Sequence, residues 1–160
     1  MNNGVKRGIS EETININKNI VIDANGMNIN ANMGNVFKIS NADVTIKNVV
    51  INNSYGLVGS VLDASQSNVI FENLTLFDNE VYNFGSSILG SIMNIDSSST
   101  LIIRDSLIEN NTGTIVATAS NLTIDNSILR NNPMINDSLG YISGWIRLNG
   151  GLTITNSLIE

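Results

Sequence analysis

The chain has no cysteine and no histidine, and a single proline, Pro133. Without thiolates or imidazoles it cannot build the usual zinc sites, nor a Ser-His or Cys-His nucleophile pair. No disulfide can staple it, so cysteine says nothing about redox compartment. Aromatic residues are only 5% and charged residues only 14%, well short of the usual quarter. A net charge of −6 opposes binding to nucleic acid, whose phosphates need a basic surface. No apolar run approaches the length of a membrane helix. The opening Met1–Ser10 stretch has no apolar signal segment, so an export signal is expected outside this sequence. No metal or cofactor is expected.

What is there is repetition. Hydrophobic residues make up 42%, enough for a core, and asparagine dominates the polar remainder. "LIIRDSLIENN" (Leu101–Asn111) returns as "LTIDNSILRNN" (Leu122–Asn132). Further copies begin at Ile20, Val44, Val69 and Leu152. A second phrase precedes most of them: "GNVFKIS" from Gly34, "GSVLDAS" from Gly59, "GSIMNID" from Gly90, "GTIVATA" from Gly113 and "SGWIRLN" from Ser143. "TININ" from Thr13 is its reduced first copy. Each unit thus holds three short strands of period-two alternation. Stacked units of this size predict an all-β parallel β-helix solenoid of about six rungs, with 1–160 a single domain, 1–12 irregular and 13–160 the rungs.

Stacking turns sequence columns into rows. Phe37, Leu62, Met93, Val116 and Ile146 form one inward row; Ile39, Ala64, Ile95, Thr118 and Leu148 form another; Ile22, Ile46, Phe71, Ile103, Ile124 and Ile154 form a third. Asn48, Asn73, Asp105, Asn126 and Asn156 share one column at the corner between the second and third strands. A buried asparagine ladder that satisfies corner backbone is the expected role. Asp23, Lys47, Glu72, Arg104 and Asp125 alternate in sign, as do Glu109, Arg130 and Glu160, which predicts ion pairs between adjacent strands. Lys38 falls beside Asp63.

From Ile9 onward the chain resembles right-handed parallel β-helix repeats of the pectin-lyase-like superfamily. "ISEETININKNIVIDANGMNIN" and "VFKISNADVTIKNVVINNS" are similar to the opening rungs of methanogen adhesin-like surface proteins. The resemblance implies a right-handed solenoid, an extracellular or cell-surface location, and, in the superfamily's enzymes, substrate lying along the first sheet between loops. The Gly-Gly-Ala-Ile phrase common in such repeats is absent here.

Two long links, Glu80–Leu89 and Pro133–Ile142, flank the short "TGT" link and are rich in apolar residues. Beside them runs an outward row of Val36, Val61, Ile92, Ile115 and Trp145. Two readings follow: the loops fold back to cover this row, or the row is a strip for a glycan or surface protein. In the second, Trp145, Tyr141, Tyr82 and Phe84 are stacking platforms and Asp63, Asn94, Asp96 and Arg147 are polar contacts. No catalytic residue is assigned. The competing functions are a polysaccharide lyase or glycoside hydrolase fragment, which needs clustered carboxylates, and a structural stalk spacer.

Sequons begin at Asn52, Asn73, Asn110, Asn121 and Asn136. Asn73, as a ladder residue, is expected to be buried, and Asn136 accessible. The last copy stops at Glu160. The expectation is a rod excerpt that stacks end to end on further rungs or on another copy.

Overall fold

A computed structural model describes residues 13–56, 58–81, 90–118, 120–133 and 145–160. Its strands are β1 (Ile14–Ile16), β2 (Ile20–Asn30), β3 (Phe37–Ser40), β4 (Asp43–Asn52), β5 (Tyr55–Gly56), β6 (Val58–Ser65), β7 (Asn68–Phe77), β8 (Glu80–Val81), β9 (Ser91–Ile95), β10 (Thr100–Arg104), β11 (Leu107–Glu109), β12 (Val116–Thr118), β13 (Asn121–Asp125), β14 (Ile128–Arg130), β15 (Ile146–Leu148), β16 (Leu152–Thr155) and β17 (Leu158–Ile159). No helix occurs among the described residues.

All pairing among the described residues is parallel. One sheet runs β1-β3-β6-β9-β12-β15. A second, curled sheet takes β2, β4 and β7 as long bent strands, and then splits into a β10-β13-β16 arm and a β11-β14-β17 arm. Every strand therefore pairs with its counterpart one pass of the chain away, as a β-helix solenoid requires. The register is the one read from the columns: Phe37 beside Leu62, Met93 beside Val116, Ile46 beside Phe71, Ile103 beside Ile124.

β4 shows how the sequence bends without losing its core. Val44 and Ile46 point inward and are buried, while Thr45 and Lys47 point outward. At Asn48 the backbone enters the left-handed region, φ 56°. The chain turns there, and Val49 and Ile51 face inward again. The same conformation recurs at Asn73, Asp105, Asn126 and Asn156, and at the next corner at Asn53, Asp78, Asn110 and Asn131. Asn and Asp tolerate this region better than other residues with a Cβ. Among the described residues, only Met33 and Gln66 of the non-glycine cases depart from that chemistry. Part of the abundance of asparagine thus reflects these turns. At one turn even asparagine fails: Gly150 lies so close to the Ser120 carbonyl that no Cβ fits.

The interior is aliphatic, with Phe37 and Phe71 meeting at 6.4 Å between ring centroids. Ladder partners lie 25, 32, 21 and 30 residues apart in sequence along the rod. Strand geometry is conserved while connection length is not. Most of the extra residues enter before β9 and before β15, at the flank leading back to the first sheet.

Candidate functional site

The corner column is a ladder, but an external one. Asn73 donates its amide to Asn48 Oδ1 at 2.8 Å, and Asn48 to Asp23 Oδ1 at 2.8 Å. Asn126 donates to Asp105 Oδ1 at 2.6 Å, and Asn156 to Asp125 Oδ1 at 3.2 Å. These side chains sit on the convex side of the bend, half-buried at Asn48 and exposed at the others. The expectation of a buried column, Asn73 included, is therefore corrected: positive φ turns the side chain outward. No hydrogen bond joins Asn73 to Asp105, because neither Asn73 Oδ1 nor an ionised carboxylate can donate.

The buried amide ladder lies one corner further on, at the second member of each terminal pair. Asn79, Asn111 and Asn132 are 1%, 0% and 3% exposed. Asn111 Oδ1 accepts from Asn79 N and Nδ2, and Asn132 Oδ1 from Asn111 N and Nδ2. Asn111 Nδ2 also reaches the Leu76 and Glu109 carbonyls, both at 2.9 Å. Sequence reasoning missed this ladder, although the recurring Asn pair was its signal.

A serine ladder lines the corner after β10, β13 and β16. Ser106, Ser127 and Ser157 each return a hydroxyl proton to the carbonyl two residues back. Their oxygens accept the backbone N–H of Leu74, Ser106 and Ser127.

Three ion pairs occur among the described residues: Lys47–Asp23 at 3.5 Å, Arg104–Glu72 at 2.6 Å and Arg130–Glu109 at 2.8 Å. They realise part of the expected alternation. Lys38 lies beside Asp63 in register, but Asp63 Oδ1 accepts instead from Asn94 Nδ2, at 2.8 Å.

The binding strip separates into different places. Val36, Val61, Ile92 and Ile115 are buried, at most 3% exposed. This row is not a contact surface, as the covering explanation expects. The small β5–β8 sheet lies against β6 and β9, and its Val81 joins the core. Trp145 is half-buried against that core and borders a groove with Asn110, Asn131, Asn132, Pro133 and Glu160. Asn94, Asp96 and Arg147 border another groove, of about 540 Å³, with Ala117, Leu148 and Asn149. Trp145 therefore stacks nothing onto Asn94, Asp96 or Arg147. Tyr82, Phe84 and Tyr141, and the sequon at Asn136, lie outside the described residues. Of the other sequons, Asn73, Asn110 and Asn121 are exposed and Asn52 is buried.

Asp96 serves its own turn. It accepts from Gln66 N, Ser98 N and, at 2.5 Å, the Ser99 hydroxyl. Loss of solvent pushes its pKa up, but these donors together pull it below the ordinary carboxylate value. No group of three or more acidic residues that could hold a metal occurs among the described residues. No family model, no curated protein and no solved structure matches the chain, so the reading of its site rests on its own residues.

Proposed function

We propose that the chain is a right-handed parallel β-helix of six rungs, serving as an adhesin-like cell-surface segment that displays its outer faces to a glycan. The observation that carries this reading is the use made of the acids beside the Asn94–Arg147 groove. Asp63 holds Asn94, and Asp96 holds a turn. Both carboxylates act as fixed acceptors, an arrangement suited to orienting sugar hydroxyls. A hydrolase or lyase needs paired or metal-clustered carboxylates instead. The groove sets the Asn94 and Asn149 amides beside the Arg147 guanidinium, a fork that fits a sugar carboxylate.

A glycan array with acidic and neutral oligosaccharides tests the reading. The expected result is binding of acidic glycans that Arg147→Ala abolishes while the β-sheet circular dichroism is unchanged. Absence of binding to any glycan returns the chain to the role of stalk spacer. Release of unsaturated products from an acidic polysaccharide would replace the reading with a lyase.

A further inference from the structure

The outer face of the second sheet is self-complementary, and we infer that it pairs with the same face of a second copy, the two rods antiparallel. Three outward columns cross β2, β4, β7, β10, β13 and β16. The middle one reads Val21, Thr45, Ile70, Ile102, Thr123, Thr153 in register. Its aliphatic members are incompletely covered: Val21 is 66% exposed and Ile70 and Ile102 are half-buried. The column beside it carries Asp23, Lys47, Glu72, Arg104, Asp125 and Thr155, and the column on its other side Asp43, Asn68, Thr100 and Asn121.

Place a two-fold axis along the strand direction, midway between β7 and β10. Each column then meets itself in reverse order, as an isologous contact requires. Ile70 meets the Ile102 position of the second copy, and Thr45 meets its Thr123 position. Glu72 meets the Arg104 position, and Lys47 the Asp125 position. In the third column Asn68 meets the Thr100 position and Asp43 the Asn121 position, donor opposite acceptor. Strict sign alternation makes charges complementary for any axis midway between strands. Only this axis uses the whole face and also sets Ile on Ile and Thr on Thr.

Six strands about 4.8 Å apart and about five residues wide give roughly 400 Å² per copy, about 800 Å² in all, below the ~1,200 Å² of stable complexes. The dimer is therefore weak and forms at high local concentration, as on a crowded surface. Opposed charges make it salt-sensitive.

The test is translational diffusion and small-angle scattering of the whole chain from about 10 µM to 2 mM, a range set by weak interfaces of this size. The expected result is a concentration-dependent dimer whose scattering fits two rods side by side. Ile70→Lys and Ile102→Glu should each weaken association at least ~tenfold, as central contacts do. The two substitutions in one chain should restore it, because each new charge then faces its opposite. Unchanged melting curves would show that these outward positions leave the fold intact. A variant that fails to fold is replaced by Thr45→Lys with Thr123→Glu, which carries the same logic. A monomer throughout the range overturns the inference. So does association that ignores Ile70→Lys but is abolished by Ile154→Lys, which would place the contact at the rod's end.

Discussion

Asn111 Oδ1 receives both the backbone N–H and the side-chain amide of Asn79, at 3.0 and 2.9 Å. A single oxygen thus closes a corner and links it to the corner before. Asn132 does the same for Asn111. This internal line of amides runs parallel to the rod axis, with no water needed.

Removing its centre should be severe. Asn111→Ala leaves Asn79 N and the Leu76 and Glu109 carbonyls without their partner, at about 1–3 kcal/mol for each buried group left unsatisfied. The expected loss is about 3 kcal/mol or more by urea denaturation. Asn126→Ala, on the exposed ladder, loses one exposed bond and sets alanine at φ 46°, and should cost less, about 1–2 kcal/mol. Equal losses would refute the division into internal and external ladders.

The external ladder is interrupted where Asn73 meets Asp105. Asp105→Asn supplies the missing donor while still accepting from Asn126. The chain should gain up to about 1 kcal/mol, the usual net worth of one such bond, and the gain should show as a higher urea midpoint. A lower midpoint would reveal an unrecognised partner for the carboxylate.

Ser91 Oγ is fully buried and has no hydrogen-bond partner among the described residues. An unmade bond leaves only the desolvation cost, so Ser91→Ala should raise thermal stability or leave it unchanged. A clear fall in melting temperature would show that the hydroxyl is bonded.

Acid should loosen the fold through three aspartates. Asp23 is held below its ordinary value of 3.8 by the Asn48 amide and the Asn25 N–H, and Asp125 by the Thr155 hydroxyl and the Asn156 amide. At Asp96, loss of solvent works the other way and is outweighed by the donors of its turn. A depressed folded-state pKa stabilises above the unfolded value and is lost as pH falls through the folded one. Melting temperature should therefore be flat above about pH 5 and fall below about pH 4, given unfolded carboxylates near 3.9. Asp96→Asn should be less stable at neutral pH and show a shallower acid slope. An identical slope would mean that the turn does not depend on the charge.

Strand columns were legible in the sequence because inward positions such as Ile46, Phe71 and Ile103 must be apolar in every copy. The corner column was legible as a column but misread as buried. Alternation alone does not reveal that a left-handed residue throws its side chain to the convex side. The true internal ladder was hidden because its first position holds Ser54, which accommodates the Asn79 oxygen through its backbone N–H. The binding strip failed for a different reason. Trp145 enters from the flank before β15, whereas Arg147 lies within the strand, and two residues along the sequence place them beside different grooves.

The unequal spacing of ladder partners has a consequence for how such a chain can vary. The segment from β10 to Asn111 matches the segment from β13 to Asn132 residue for residue in register, while the links before β9 and β15 differ in length from the link before β12. Lengthening a link at that flank leaves every stacked amide and hydroxyl in place. The other two corners differ by only two residues: Ile95 to Leu101 spans six positions where Thr118 to Leu122 spans four, and Asp23 to Met27 spans four where Lys47 to Val49 spans two, with the inward rows kept. One edge of the rod is therefore open to long insertions and diversification, and the other two absorb no more than two residues.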